Sequence, residues 1–419
     1  MANSVTLEAT PLAPATAEAL ARLPSRPAML PVTVETSRDI DAVEAIWRDL
    51  AAGGIESPGQ SYDFIRLWIK ARQIPEANQL FVVARLAGQP IALLPLWRRG
   101  GVGVSCYTWF PGAHVGCGAP LLDGARFAAL SPPERAAFWR GLTREIKGAD
   151  FIHLEAVPER VDDLVEPFAG LGRALPTETL YRAAFSSWEE ANATQRNKSR
   201  RKHDRQQGER LEALGKVEFE AIGNGPDALP VLEEMFRQRA RRFEVMGVAD
   251  PFAAPDIARF YRESVAADSK VRVRLHVLRL DGAIVAVRYN IVQGDRLFCL
   301  ISSMSDDARI QGGSPGKQCL LRVMQTEFDA GFRVFDMGNG FTDEKRHWCN
   351  ERVALASHYV PLTLKGRLLI EADAAWRVAK ARVKANPELL ALAKAARSRL
   401  RRGKAGLEVQ AEAPGDCGE

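Results

Sequence analysis

The chain has 419 residues, of which 46% are hydrophobic, 26% charged and 8% aromatic, and its formal net charge is +5. This composition is typical of a well-packed globular protein, and the length is sufficient for two hydrophobic cores. It excludes a fibrous or low-complexity chain, no stretch is apolar enough to span a bilayer, and the net charge is too small to indicate nucleic-acid binding.

The chain begins with residues 1–33, which are rich in Ala, Pro and Thr and are expected to be disordered. They combine no basic segment with an apolar one, so we expect no signal peptide. The six cysteines stand far apart without a C-x-x-C pair, which fits a reducing compartment and predicts no metal site. We therefore expect a cytoplasmic protein that contacts the inner membrane at most from its surface.

Residues 34–190 predict a first unit of helices and strands, because apolar residues recur there first at helical spacing and then in short β-branched runs. The predicted elements are helices near 40–50 and 60–73, a hairpin of LFVVARL and PIALLPLWRR around Gly88-Gln89, a helix near 132–147 and the strand FIHLEAV.

Residues 191–370 repeat this order. The predicted elements are a basic helix over 196–214, the strand VEFEAI, helices over 226–245 and 255–267, the strands VRVRLHVLRL, AIVAVRYNIV and RLFCLISSM, a helix over 317–330 and the strand RVFDMG. Asp281-Gly282 between the first two long strands is a strong hairpin signal. The repeated order predicts a duplicated α/β (α+β) fold, each unit a mixed, mostly antiparallel sheet flanked by helices, rather than one large sheet.

Residues 371–419 are expected to form a separate basic tail, helical up to about residue 404 with a break at Asn386-Pro387. Two interpretations stay open. The tail is either a solvated helix or an amphipathic segment that lies on anionic lipid with Trp376 at the interface.

A glycine-rich loop, QGGSPGKQ (311–318), lies between the last long strand and its helix. It comes close to a nucleotide-binding P-loop but lacks the first glycine and the final hydroxyl residue. Unpaired N–H groups at a helix start bind anions, glycines let a phosphate approach, and Lys317 adds a positive charge. We expect a pyrophosphate there, and a plain turn that opens a helix is the alternative.

Four stretches carry a resemblance to a known family: SPGQSYDFIRLW (57–68), NKSRRKHDRQQGERLEALGKVEFE (197–220), SPGKQCLL (314–321) and FDMGNGFTDEKRHW (335–348). The order of sheet, glycine loop and helix resembles the GNAT acyltransferase superfamily. The four stretches are similar to its CelD/BioF2-like acetyltransferases, which are related to the FemAB peptidoglycan transferases. Two departures are Ser314 at the fourth position of the pyrophosphate loop, which leaves the register starting at Arg309 open, and Glu344 where the family often has Tyr.

The resemblance implies tandem GNAT-like units, with an acceptor-binding role for the first and acyl-CoA as the co-substrate of the second. It implies no metal. The loop residues expected to hold the acyl-CoA are Gln311, Gly312, Gly313, Ser314, Gly316 and Lys317.

Acyl transfer from a thioester to an amine needs a base for the ammonium, a donor for the developing oxyanion and a proton for the leaving thiolate. His347 and Glu344 are candidate bases, and Asp336 is a third candidate because it ends a strand, although an Asx-type turn is its alternative role. The candidate substrate-binding residues are Lys345, Trp348 and His114, with surface charge as the alternative role of Lys345 and burial as that of His114. A packed or hydrogen-bonded structural residue is the alternative role of His347.

The identity of the amine acceptor stays open. The family includes bacterial ceramide synthases, which acylate a sphingoid base, and members linked to exopolysaccharide or cellulose systems, where an amino sugar would be acylated. A basic tail on lipid favours the sphingoid base. A non-catalytic GNAT-fold module of an envelope-polymer complex is the hypothesis from another class. The tRNA donor of FemAB relatives is disfavoured because no heptad repeat occurs, and no nucleic-acid partner is expected.

Overall fold

The computed structural model describes residues 32–101 and 103–385 and confirms an α/β protein in which one order of elements occurs twice. The strands are β1 (Val32–Ser37), β2 (Gln79–Leu86), β3 (Gln89–Gly101), β4 (Val104–Trp109), β5 (Leu121–Leu122), β6 (Phe151–Pro158), β7 (Arg160–Val161), β8 (Leu164–Val165), β9 (Arg173–Ala184), β10 (Val217–Ile222), β11 (Val273–Leu280), β12 (Ala283–Gln293), β13 (Arg296–Met304), β14 (Val334–Asn339) and β15 (Glu351–Pro361). The helices are α1 (Glu44–Ala51), α2 (Tyr62–Arg72), α3 (Gly124–Ala128), α4 (Pro132–Glu145), α5 (Trp188–Gln195), α6 (Lys198–Glu212), α7 (Ala228–Met246), α8 (Pro255–Ser264), α9 (Pro315–Asp329), α10 (Asp343–Trp348) and α11 (Leu364–Ala385).

The two halves have the same strand pairing. In the first half β1, β2, β3 and β4 pair antiparallel in succession, and β4 then pairs parallel with β6. In the second half β10, β11, β12 and β13 pair antiparallel, and β13 pairs parallel with β14. Both first hairpins turn through two residues of positive φ, Asp281-Gly282 (49° and 79°) and Ala87-Gly88 (49° and 79°). The first-half turn is thus one residue earlier than the expected Gly88-Gln89, since this turn type needs positive φ at both positions.

The last strand of each half is exchanged with the other half. β9 pairs with β14, β15 pairs with β6, and β9 and β15 pair with each other. Among the described residues a 13-stranded sheet results. The expectation of two separate sheets is therefore wrong, because the exchange leaves no free sheet edge between the halves.

This exchange also affects the expected division of the chain. β9 precedes residue 191 and β15 follows it, so the division between 34–190 and 191–370 stays a prediction based on the repeat. β1 begins at Val32, two residues inside the segment expected to be disordered, and α11 runs across the expected boundary at 371. The remainder of the N-terminal segment, 1–31, and the tail from 386 onwards, with its expected break at Asn386-Pro387, lie outside the described residues.

The halves also share a hydrophobic core on one face of the sheet, formed by α1 and α2 from the first half and α7 and α8 from the second. The ring of Phe260 on α8 lies 4.9 Å from Phe64 and 4.8 Å from Trp68 on α2. On the opposite face α4 and α9 each cover a core of their own half. The shared core and the exchanged strands hold the two halves together, so residues from both can build one site.

Within the described part of the chain, no helix has the length and apolar character needed to cross a bilayer. The same residues contain no group of three or more His, Cys, Asp or Glu side chains arranged to hold a metal ion.

Candidate active site

The two parallel strands of the second half separate after a short pairing. β13 and β14 pair only from Arg296–Val334 to Phe298–Asp336. Beyond this point Cys299 to Ser302 on β13 and Met337 to Asn339 on β14 line a cavity of ≈ 250 Å³, here called the inner cavity. A second cavity of ≈ 420 Å³, the outer cavity, is lined by the end of β13, by α7 and by Gly316 at the start of α9. The β13–β14 fork thus provides a cleft that extends to a helix N-terminus.

Five side chains line both cavities and mark their junction: Arg239, Arg288, Ser302, Thr342 and Glu344. Arg288 is buried, and its Nη2 lies 3.0 Å from a carboxylate oxygen of Glu344. Arg239 donates to the Ser302 carbonyl at 3.1 Å. Both arginines have a buried Nε–H without an acceptor among the described residues. Buried donors without acceptors cost free energy, so both guanidinium groups carry an unsatisfied donor beside the cleft.

Glu344, one of the predicted bases, therefore lies at the junction of the two cavities. Its side chain is 28% exposed, so it faces the cleft while its pair with Arg288 fixes its position. A carboxylate at this point can accept a proton from an ammonium. The role of Glu344 stays a prediction.

Lys345 lines the inner cavity and closes the turn between β14 and α10. Its Nζ donates to the carbonyls of Asn339 and Gly340, and Gly338 and Gly340 have the positive φ that this turn needs. Burial lowers the pKa of the Lys345 ammonium. Lys345 is thus held close to the cleft by the turn it stabilises, which is compatible with its predicted substrate contact.

His114 reaches the inner cavity from the first half of the chain. Its Nδ1 lies 3.3 Å from the Tyr261 hydroxyl, and its ring packs 5.1 Å from Trp68. Burial lowers the pKa of His114 to about 4, with the charge of Arg72 as a smaller cause. The imidazole is therefore neutral near pH 7, and its segment, Ala113 to Gly116, forms one wall of the cavity.

The glycine-rich loop packs against α6. Gly313 is buried, its N–H donates to the Ile310 carbonyl at 3.0 Å, and a Cβ there would lie 2.9 Å from Leu211. Ser314 has a φ of 47°, and its hydroxyl accepts from Gln207 at 2.8 Å. Gly313 is thus required for close packing with α6. By contrast, Gly316 lines the outer cavity and Gly312 has open space beside it. Whether the six loop residues bind acyl-CoA stays a prediction.

His347 does not line either cavity but lies among cations near the start of α9. Burial together with the charges of Arg200, Arg346 and Lys317 lowers the pKa of His347. This arrangement is more suitable for an anion than for a base that must stay close to the amine. Trp348 is buried and packs 5.9 Å from Trp188 and 5.7 Å from the Arg196 guanidinium, and its substrate contact stays a prediction.

Asp336 lies behind the fork in a buried ion-pair network. Its carboxylate lies 2.8 Å from Arg182 Nε, and it also accepts from the Gly338 N–H at 2.8 Å. Arg182 in turn lies 2.8 Å from the buried Glu56, which is paired with Arg296 at 3.3 Å. The Gly338 bond is the Asx-type turn named as the alternative. These contacts join β9, β13 and β14 at the point where the fork opens, and a catalytic role for Asp336 stays a prediction.

The corresponding fork in the first half is filled by the chain itself. β4 and β6 pair at Cys106–Phe151 and Tyr107–Ile152 and then separate. Trp109 Nε1 donates to the Glu155 carbonyl at 3.1 Å, and the N–H of Gly118 donates to Ala156 at 3.1 Å. The ring of Trp109 packs so closely that a Cβ on Gly118 would lie 2.4 Å from it. The first half therefore contributes a wall to the other fork instead of a second cleft.

Arg288 and Arg239 were missed by the sequence analysis. Arg288 is the one charged residue in the otherwise apolar strand AIVAVRYNIV, and a charge in a strand buried on both sides is a signal of a site or an ion pair. Arg239 is one of several arginines on α7 and carries no such signal.

Residues 198–346 match the family described as acetyltransferase (GNAT) domain. The match contains α6, the β13–β14 fork, the glycine-rich loop and most of α10. The match does not test the expected similarity to the CelD/BioF2-like branch of this superfamily. No curated protein sequence matches the chain.

Several solved structures are similar in shape at low identity. The C-terminal domain of a protein assigned as a lysylphosphatidylglycerol synthetase, from Agrobacterium fabrum, is 15% identical with a TM-score of 0.47, covering 82% of this chain and 97% of that one. FemX is 10% identical with a TM-score of 0.48, covering 72% of this chain and 92% of that one. A tandem GNAT protein from the clavulanic acid biosynthesis pathway is 13% identical with a TM-score of 0.42, covering 78% of this chain and 98% of that one. Because each TM-score is below 0.5, nothing about activity follows from these likenesses. The match thus shows an acyltransferase domain of the GNAT type over residues 198–346 of this chain.

Proposed function

We propose that the protein is an acyl-CoA-dependent N-acyltransferase that forms an amide on an amphiphilic amine, with a sphingoid base as the acceptor. The observation that carries the proposal is the cleft of the β13–β14 fork, where Glu344 and Arg288 lie at the junction of two cavities. One cavity reaches the start of α9 and the other reaches His114, so a donor and an acceptor can enter from different sides.

The donor is proposed to occupy the outer cavity. Its phosphates would lie near the N-terminus of α9, where Lys317, Arg200 and Arg346 supply positive charge around His347. Arg242 adds a further cation to the wall of the outer cavity. The thioester would then lie at the junction, with its carbonyl oxygen near Arg288 and Arg239.

The chemistry follows from these positions. Glu344 takes a proton from the ammonium of the acceptor, and the neutral amine attacks the thioester carbon. The guanidinium groups of Arg288 and Arg239 stabilise the negative charge that develops on the carbonyl oxygen. The C–S bond then breaks, and the thiolate takes a proton, for which the Lys345 ammonium with its lowered pKa is the proposed donor. The nitrogen loses its second proton as the amide forms, and this proton passes to the neutral Lys345 amine, which restores the ammonium.

Apolar residues of the outer cavity, which is proposed to hold the donor, support an acyl group with a hydrocarbon chain. Phe243, Met246 and Met304 line the outer cavity. Met246 is 58% exposed and Val245, its neighbour on α7, is 85% exposed. A hydrocarbon chain leaving the cleft would remove these side chains from water. Contact with the membrane that holds such an amine is part of the proposal.

An amino sugar is the second candidate acceptor. The inner cavity is favourable for it because Ser302, Asn339 and Thr342 are among its lining residues. Hydroxyl and amide groups of this kind bind the hydroxyls of a sugar.

Release of free thiol from acyl-CoA is the direct test. We expect thiol release with sphinganine as the acceptor, and a Glu344→Gln variant as the matched control should lose it. Acyl-CoA at about 100 times its Kd should also stabilise the protein by about 2.7 kcal/mol, which a thermal unfolding scan detects. Glucosamine in place of sphinganine tests the second candidate. Thermal stabilisation without thiol release for any amine would favour a non-catalytic module, and unchanged ceramides in a deletion strain would exclude the sphingoid base.

A further inference from the structure

The helix α11 presents apolar side chains to solvent. Leu364, Leu368 and Trp376 are 82%, 72% and 66% exposed, and the smaller Ala372 between them is exposed too. At spacings of four residues these side chains lie along one side of the helix. Here they are called the α11 stripe. Large apolar side chains in a row are unusual on a surface that meets only water.

The opposite side of α11 is fixed to the body of the protein. Ile370 and Ala374 are buried, and Gly366 packs so closely that a Cβ there would lie 1.8 Å from the Asp150 carbonyl oxygen. Arg377 donates to the Tyr359 hydroxyl at 2.6 Å. The orientation of the helix is thus set by packing on β15 and on the segment before β6, and the stripe must face outwards.

In the sequence, the positive charge of the chain is concentrated in this helix and in the segment that follows it. Residues 364–404 contain twelve Lys and Arg against three Asp and Glu, while the whole chain has an excess of only five. Arg367 is exposed next to the stripe. The acid on this side, Glu371, is paired with Arg173 at 3.1 Å.

A neighbouring hairpin extends the cationic surface. Lys365 donates to the Gly103 carbonyl at the tip of the β3–β4 hairpin. The same hairpin carries Arg98 and Arg99, both exposed. The stripe is therefore bordered by cations from two elements of the fold.

We propose that the α11 stripe and its bordering cations bind the surface of a bilayer that contains anionic lipid. Leucine side chains gain free energy by entering the acyl boundary, tryptophan favours the interface, and Lys and Arg are attracted to anionic headgroups. A second copy of the chain would bring like charge to the same surface, and a nucleic acid would leave the stripe in water. The surface lies on β15, apart from the β13–β14 fork, so the inference goes beyond acyl transfer and can be tested without it.

Cosedimentation of the full chain with vesicles tests the proposal. Vesicles of phosphatidylcholine with phosphatidylglycerol should bind the protein, and vesicles of phosphatidylcholine alone should bind it much more weakly. Replacement of Leu364, Leu368 and Trp376 together by Ser should lower the partition coefficient at least about tenfold. Arg367→Gln should lower it about fivefold, the effect of one basic residue at an anionic surface. The matched control is Val165→Ser with Leu229→Ser, which removes side chains that are 66% and 42% exposed elsewhere.

Several results would overturn the proposal. The first is a wild-type protein that stays in the supernatant with both kinds of vesicle. The second is a triple variant that binds as tightly as the control variant. Sedimentation velocity that shows a dimer abolished by the triple variant would assign the stripe to a second copy, and tight RNA binding that is unaffected by that variant would assign the cations to nucleic acid. Because the replaced side chains are exposed, the variants should fold, and retained thiol release by the triple variant on soluble substrates would verify this.

Discussion

The substitution Glu344→Gln tests the proposed base most sharply, because it changes the charge at the junction of the two cavities and almost nothing else. Removal of a general base lowers a rate constant by about 10² to 10⁴, which corresponds to roughly 2.7 to 5.5 kcal/mol in the activation free energy. We expect kcat for thiol release to fall within this range, while the binding of acyl-CoA, measured by thermal shift, stays close to that of the wild type.

The cost in folding stability can be separated from the cost in rate. Glu344 Oε2 lies 3.0 Å from Arg288 Nη2, and a glutamine keeps an oxygen that can accept this bond. The difference between a charge-assisted and a neutral hydrogen bond is about 1 kcal/mol. Glu344→Ala removes the acceptor and leaves Arg288 unpaired. This should cost about 2 kcal/mol, less than the 3–5 kcal/mol of a fully buried pair because Glu344 is 28% exposed.

The two variants together therefore make a matched pair. Both should lose kcat to the same extent, and urea unfolding should show a clearly larger loss of stability only for Glu344→Ala. If Glu344→Gln keeps kcat within about a factor of three of the wild type, Glu344 is not the base. If kcat instead follows stability across the two variants, the carboxylate acts only by holding Arg288.

Three further predictions concern stability and can be measured by urea unfolding. The pKa of His114 is lowered to about 4 in the folded protein, from about 6.5 in the unfolded chain. Because the unfolded state is protonated first as the pH falls, the free energy of unfolding should decrease by at most about 2 kcal/mol between pH 7.5 and pH 5. The variant His114→Gln should lack this part of the decrease. Gly118→Ala places a Cβ 2.4 Å from the Trp109 ring and should cost about 1–3 kcal/mol of stability. Gly53→Ala, with nothing within 4 Å of the new Cβ, should be close to neutral. Equal effects of the two substitutions would contradict the close packing of Trp109 in the first-half fork. Arg182→Met leaves the buried Asp336 without its ion-pair partner and leaves Glu56 with Arg296 alone, so it should cost about 3–5 kcal/mol, against less than about 1 kcal/mol for the exposed Arg173→Met.

Local sequence patterns predicted the elements whose partners are close along the chain. Apolar spacing predicted α2 over 60–73, and the structure has it at Tyr62–Arg72. The Asp281-Gly282 signal predicted the β11–β12 hairpin, since a two-residue turn of positive φ favours Asn or Asp followed by Gly. The repeated order also predicted the duplicated fold.

The strands that the sequence analysis missed include those with distant partners. β9 and β15 each pair across the two halves, and nothing in a local pattern shows which sheet an exchanged strand completes. β1 could have been found, because VTVETS alternates apolar and polar residues as its counterpart VEFEAI does. β4 follows a Gly-rich stretch that obscured its start.

The structure places some of the predicted site residues at the cleft and others away from it. Glu344, Lys345 and His114 line the cleft, whereas Trp348 packs in the core and His347 lies among cations beside α9. Residue type alone could not separate these cases, since burial and the direction of a side chain depend on the elements packed around it.

Periodicity, turn residues and the repeat thus specify which segments become helices and strands and that two similar halves exist, because these properties depend on neighbours a few residues away. The position of the active site has a different origin. His114 reaches the second fork because α2 and α8 share a core and because Trp109 fills the first fork. Contacts of this kind join residues that are far apart in the sequence, 46 positions for Trp109 and Glu155 and 147 for His114 and Tyr261. Their geometry is set by how whole elements pack.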